Sequence, residues 1–213
     1  MKTTYYSEKT AARVIRAMLN TEKNDIRPFR HNTWIDDKGR QCSCDGYRAY
    51  RLNKPAAGLP DTDAINGIAL EKLFPTGATL ADYSLLELPS LEEVKAMIAE
   101  DNARQKDTAP KKRQYVYHFG KDAQGRQLPA VNLKYLADVM TIFPDAVAYC
   151  KPDSVASLLY FEGPDGDAIL LPIRCAEYAD KRRDAPAPTA KKPEPLPVYG
   201  LRTFLALAAA ANA

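Results

Sequence analysis

Histidine is nearly missing from this chain of 213 residues, with two, His31 and His118, beside 30 Lys and Arg and 27 Asp and Glu. Neither sits in a recognisable nucleophile, zinc or dyad pattern, and each reads as a strand or loop residue. The ten glycines form no phosphate-cradling loop. Only four cysteines occur, at 42, 44, 150 and 175. Cys42-Ser43-Cys44 has a single spacer residue where structural zinc pairs use two to four, and Cys150 and Cys175 make no second close pair. Reduced, half-buried thiols are expected, and no metal site. The carboxylates Asp36-Asp37 and Asp61 with Asp63 fall in turn-like segments, where such residues organise the backbone. No catalytic residue, cofactor or metal ligand is assigned, and the chain reads as a non-enzyme.

Long apolar runs are also missing. The start, Met1-Lys2-Thr3-Thr4-Tyr5-Tyr6, is not that of a signal peptide, and no stretch is long enough to span a bilayer. A cytoplasmic protein without a membrane partner is expected. The net charge is only +3, so any nucleic-acid surface must be local rather than global. With 46% apolar and 27% charged residues, the composition is that of an ordinary globular domain able to build a core without staples.

Hydrophobic periodicity predicts an α+β chain. Ala11, Val14, Ile15, Met18 and Leu19 form the buried stripe of a helix from about 8 to 20, and Lys9, Arg13 and Arg16 fall together on its opposite face. Thr33 to Ile35 and Gln41 to Cys44 flank the turn Asp36-Asp37-Lys38-Gly39 as a hairpin, and Tyr47 to Leu52 continues as a strand. Residues 55 to 67 read as loop. Weaker signals are a short apolar segment at 68 to 74, closed by Pro75, and a strand at 83 to 88. Ser90 and Glu93 make a capping box for a helix to about 106, followed by a polar connection, 107 to 114. Tyr115 to Phe119 reads as a strand. Asn132 to Phe143, stopped by Pro144, reads as a helix with Leu133, Leu136, Ala137, Met140 and Phe143 inward, and on it Lys134 is expected to be offset by Asp138 on the same face. Strands at 146 to 150, 158 to 161 and 168 to 171 complete the pattern, the last two joined by Gly163-Pro164-Asp165-Gly166.

Each of the two stronger helices precedes strands and a glycine turn, the signature of a duplicated unit. Val131-Asn132-Leu133-Lys134-Tyr135-Leu136-Ala137-Asp138-Val139 resembles the helix that opens the last half-domain of bacterial DNA polymerase III beta sliding clamps. Leu158 to Phe161, the turn at 163 to 166 and Ile169-Leu170-Leu171-Pro172-Ile173-Arg174 are similar to that family's final hairpin, and Cys44-Asp45-Gly46-Tyr47-Arg48-Ala49 resembles its strand turn. The resemblance covers about 8 to 52 and 115 to 174 and implies a DNA clamp-like fold, a single-domain relative of the kind a phage or mobile element encodes. It further implies two helix-plus-antiparallel-sheet half-domains, about 1 to 88 and 115 to 176, with helices toward DNA and sheets outward.

The expected domain is therefore 1 to 183, with a middle helix at about 90 to 106. A Pro-rich spacer and apolar segment, 184 to 213, follow it. The first functional reading is a non-enzymatic replication accessory factor that contacts duplex phosphates through Lys9, Arg13, Arg16 and Lys23, with duplex DNA, replication proteins and further copies as partners. The second is a protein-protein interaction adaptor that kept the fold but neither encircles nor binds DNA, its Leu201, Phe204 and Leu205 engaging a partner groove.

Overall fold

The computed structural model describes residues 6–19, 27–61, 72–152 and 154–173. Lys23, the segment 68 to 71, Cys175 and the whole of 184 to 213, with Leu201, Phe204 and Leu205, lie outside the described residues.

The order is α1 (Glu8–Leu19), a 3-10 turn (Pro28–Arg30), β1 (Trp34–Ile35), β2 (Gln41–Cys44), β3 (Arg48–Leu52), a one-turn α2 (Gly77–Leu80), β4 (Ser84–Leu86) and α3 (Leu91–Arg104). A second 3-10 turn (Pro110–Lys112), β5 (Val116–His118), β6 (Ala130–Asn132), α4 (Leu133–Ile142), β7 (Val147–Cys150), β8 (Leu159–Gly163) and β9 (Gly166–Leu170) follow. The fold is a mixed one, helices on antiparallel sheet. Caps explain two of the helix starts. Ser90 accepts from Glu93 N at 3.3 Å while its own N donates to Glu93 Oε2 at 2.7 Å. Asn132 Oδ1 accepts from Lys134 N and Tyr135 N at the start of α4.

Among the described residues seven strands form one sheet in the order β1-β2-β3-β9-β8-β7-β4, every pair antiparallel. That order is palindromic up to β7, and the registers repeat. Gln41 opposite Leu52 in the first hairpin corresponds to Leu159 opposite Leu170 in the second, both positions moved by 118 (41 to 159, 52 to 170). The same shift carries Cys44–Ala49 onto Glu162–Asp167. It also maps the β3–β9 pairing onto itself, Arg48–Leu170 becoming Gly166–Leu52, so a local two-fold axis passes through the Tyr50–Ala168 pair.

Alternation sends Tyr50, Leu52, Leu159, Phe161, Ala168 and Leu170 to one face, where they pack with α1, α3 and α4 in the larger core. The opposite face is covered too. Cys42, Cys44, Ala49, Tyr160, Ile169 and Leu171 pack there against Phe29, Trp34, Leu73 and Phe74. This second cluster is why β2, β3 and β9 are buried along their whole length.

Turn chemistry sets the hairpins. Asp36 Oδ1 accepts from Lys38 N and Arg40 N, and its Oδ2 accepts from Arg40 Nε at 2.8 Å. Asp122 makes the same three bonds to Gln124 and Arg126, so Asp-x-x-Gly-Arg is a turn used twice, at 36–40 and at 122–126. The tightest position is Gly166, at φ +149, where a Cβ would overlap the Arg51 carbonyl oxygen and lie 2.9 Å from a Phe143 ring carbon. Gly166→Ala is expected to lower unfolding free energy by more than about 3 kcal/mol, against about 1 kcal/mol for Gly39→Ala, which has open space at φ +75. Urea titration of both variants, with equal losses, would contradict the close approach.

Candidate nucleic-acid interface

α1 presents its cations as its periodicity requires. Ala11, Val14, Ile15, Met18 and Leu19 are buried, and Lys9, Arg13 and Arg16 are exposed or partly exposed on the outward side. The three are not equivalent. Arg16 Nη2 donates to the Gly58 carbonyl at 2.6 Å, so its guanidinium is tied down on the loop that follows β3. Lys9 and Arg13 have no carboxylate partner among the described residues.

On α4, the expected offset of Lys134 by Asp138 is not what the side chains do. Lys134 Nζ lies 3.7 Å from the centroid of the Tyr115 ring, a cation–π contact. Asp138 turns instead to Arg48 of β3. Arg48 also bonds Asp45 through Nε to Oδ2 at 3.0 Å, and its guanidinium lies 4.2 Å from the centroid of Tyr135. Asp45 in turn closes the β2–β3 turn, accepting from Tyr47 N and Arg48 N. Tyr47 stacks on Tyr135 at 6.4 Å. Burial works against the charge on Arg48, but Tyr50, Asp45 and Asp138 outweigh it and raise its pKa above that of a free guanidinium. Arg48 and Asp45 are both buried, so this pair is a strut within the fold rather than a ligand site.

Asp45, Arg48, Tyr135 and Asp138 stand in the sequence only as members of separate motifs, and nothing in those motifs says that they meet. Pairing between Arg48 and Asp138, 90 residues apart, is not visible in local spacing.

A second buried pair lies on the other face, where Arg51 Nε donates to Asp167 Oδ1 at 2.7 Å, directly across the β3–β9 ladder. Phe74 covers it, with the guanidinium 3.6 Å from the ring centroid.

The described thiols are chemically quiet. Burial pushes Cys42 and Cys44 up to about 12 and Cys150 up to about 11, so each is protonated near neutral pH and a poor nucleophile. No group of three or more His, Cys, Asp or Glu among the described residues is arranged to hold a metal ion. No helix among them is long and apolar enough to cross a membrane.

No protein-family model and no curated protein matches the chain. Among solved structures, a DNA polymerase sliding clamp from Pseudomonas aeruginosa, crystallised with a ligand, is similar at a TM-score of 0.47 and 10% identity over 78% of this chain. The chain spans 65% of that clamp chain's length.

Because Arg48 joins β3 to α4, Arg48→Met is expected to strand the buried Asp45 carboxylate and cost about 3 to 5 kcal/mol of stability. Asp138→Asn, at a side chain 37% exposed, is expected to cost much less. Chemical denaturation of the two variants compares them directly, and equal small losses would mean that the strut contributes little.

Proposed function

We propose that this chain is a non-enzymatic, clamp-like accessory factor of DNA replication that contacts the phosphates of duplex DNA without sequence preference. The observation that carries the reading is the outward face of α1, where Lys9 and Arg13 stand on a rigid helix without an acidic partner among the described residues. Phosphate contact needs cations held in one plane and open to a large ligand, and it needs no base-reading side chains.

Two features support the clamp-like part. The β2–β3 and β8–β9 hairpins share one register, and α1 and α4 pack together on the same side of the sheet. This is the arrangement expected of two half-domains, about 1 to 88 and 115 to 176, with α3 packed on α4 as an addition between them. The residues of the sliding-clamp resemblance are also those that join the halves, Asp45 and Arg48 from one and Tyr135 and Asp138 from the other. In this reading 1 to 183 is the clamp-like domain, which recruits replication proteins, and 184 to 213 follows it; engagement of a partner groove by Leu201, Phe204 and Leu205 belongs to the adaptor reading. Lys23, outside the described residues, is assigned by this reading as a further phosphate contact.

Titration of unrelated duplexes over about 50 to 200 mM salt tests the reading. Wild type is expected to bind all of them alike, with a steep fall in affinity as salt rises. Lys9→Gln with Arg13→Gln should weaken binding uniformly and reduce the slope of log K against log salt by about 0.9 for each phosphate left without its cation. Stability should change by less than about 0.5 kcal/mol, because both side chains lie on the outward face. Failure of wild type to bind any duplex would sink the DNA reading and leave the adaptor.

A further inference from the structure

The polar connection between α3 and β5 is more ordered than its composition requires. The Gln105 side chain spans it, Nε2 donating to Gln114 O at 2.7 Å and Oε1 accepting from Gln114 N at 2.8 Å. Inside that brace Arg113 donates from Nε to Thr108 O at 3.0 Å and from Nη2 to Lys106 O at 3.1 Å. Thr108 N to Gln105 O and Lys112 N to Ala109 O complete two tight backbone turns. Tyr115, just beyond, donates to Asn102 Oδ1 on α3 at 2.6 Å and accepts at its carbonyl from Leu133 N at the start of α4. The end of α3, the loop and the start of α4 are therefore one body.

That body is strongly cationic. Lys106, Lys111 and Lys112 are exposed, Arg113 lies in the loop wall, and Lys134 stands beside them over the Tyr115 ring. The nearby carboxylate Asp101 is taken by Arg104, which leaves Asp107 as the single acid within the loop. None of the three exposed lysines has a carboxylate partner among the described residues. Burial works against it, yet Lys134 and Arg113 hold the Tyr115 phenol below its usual pKa, the mark of a positive local potential. A solvated charge run needs no such bracing. Pre-ordered cations lose little conformational entropy when a polyanion docks, which is what a backbone-phosphate site requires.

We propose that the loop 105–114, with Lys111 and Lys112 at its tip and Lys134 beside it on α4, is a second contact site for duplex backbone phosphates. It takes its ligand class from the reading above but uses none of the α1 residues. α4 packs against both α1 and α3, so the two cationic sites flank a common helix and offer a duplex two separate points of attachment.

The experiment compares four full-length proteins on one duplex across a salt titration: wild type, Lys111→Gln with Lys112→Gln, Lys9→Gln with Arg13→Gln, and a control, Lys38→Gln with Lys54→Gln. The control removes the same charge at exposed positions on the β1–β2 turn and after β3. The loop variant is expected to lose about tenfold in affinity and about one to two units of salt slope while the control stays close to wild type. Thermal unfolding of all four should coincide, since the substituted side chains lie at the surface. If the loop variant behaves like the control while the α1 variant is weakened, the loop site is wrong and the α1 reading stands. If the loop variant is weakened and the α1 variant is not, the loop is the phosphate site and the α1 assignment falls. A drop in the control equal to that in the loop variant would reduce the effect to net charge and overturn the site. Absence of duplex binding by wild type overturns both.

Discussion

The pairing of β3 with β9 is the interaction on which the rest of the molecule depends. It places Tyr50 opposite Ala168 on the local two-fold axis and makes one continuous sheet out of a three-stranded and a four-stranded set. Side-chain sizes follow from that meeting. A fully buried tyrosine faces an alanine on the helix side, and Leu52 faces Gly166, where Phe143 and the Arg51 carbonyl leave no space for a Cβ. On the other side the same ladder sets Arg51 directly across from Asp167, and the pair is tolerated there because its charges satisfy each other and Phe74 closes over them. A slip of β3 by one residue would turn Arg51 into the helix-side core and leave Asp167 without its partner on the other face.

The sheet's second cover changes what surface is left for interactions. With Phe29, Leu73 and Phe74 packed on the far face beside Trp34 of β1, that face is not an open apolar sheet. Exposed hydrophobic side chains among the described residues are few, with Leu85 the most prominent at 69% on the edge strand β4. The helix side keeps its charge at the surface. Even there the cations divide into those used by the fold and those that face solvent. Arg48 is consumed by Asp45 and Asp138, Arg16 is held by Gly58, and Lys134 is drawn onto Tyr115, which leaves Lys9, Arg13 and the loop lysines facing outward.

Much of the local structure is legible in the sequence because its causes are local. The helical stripe of α1, the capping box of α3, the helix ending before Pro144 and the Asp- and Gly-containing turns all rest on interactions within about five residues, so spacing and residue type suffice. The repeated Asp-x-x-Gly-Arg turn at 122–126 is equally local, and its flanks pair in one register from the Lys121–Gln127 bridge to the β5–β6 ladder, whose second strand, Ala130–Asn132, is too short to leave a strand signal. The strands of the central sheet are announced by their turns more than by their alternation, since burial on both faces removes the polar side that a half-exposed strand displays.

By itself the sequence determined the order and type of most elements, the placement of Lys9, Arg13 and Arg16 on one helix face, and the suggestion of a repeated unit, because each follows from periodicity along a single stretch of chain. Tertiary structure alone decided that β3 pairs with β9, that a second layer covers the sheet, that Asp138 serves Arg48 rather than Lys134, and that residues 105–114 form a braced loop. These depend on residues brought together across the chain, where the energy of a buried charge or an unfilled cavity selects among partners that the linear sequence leaves equally available.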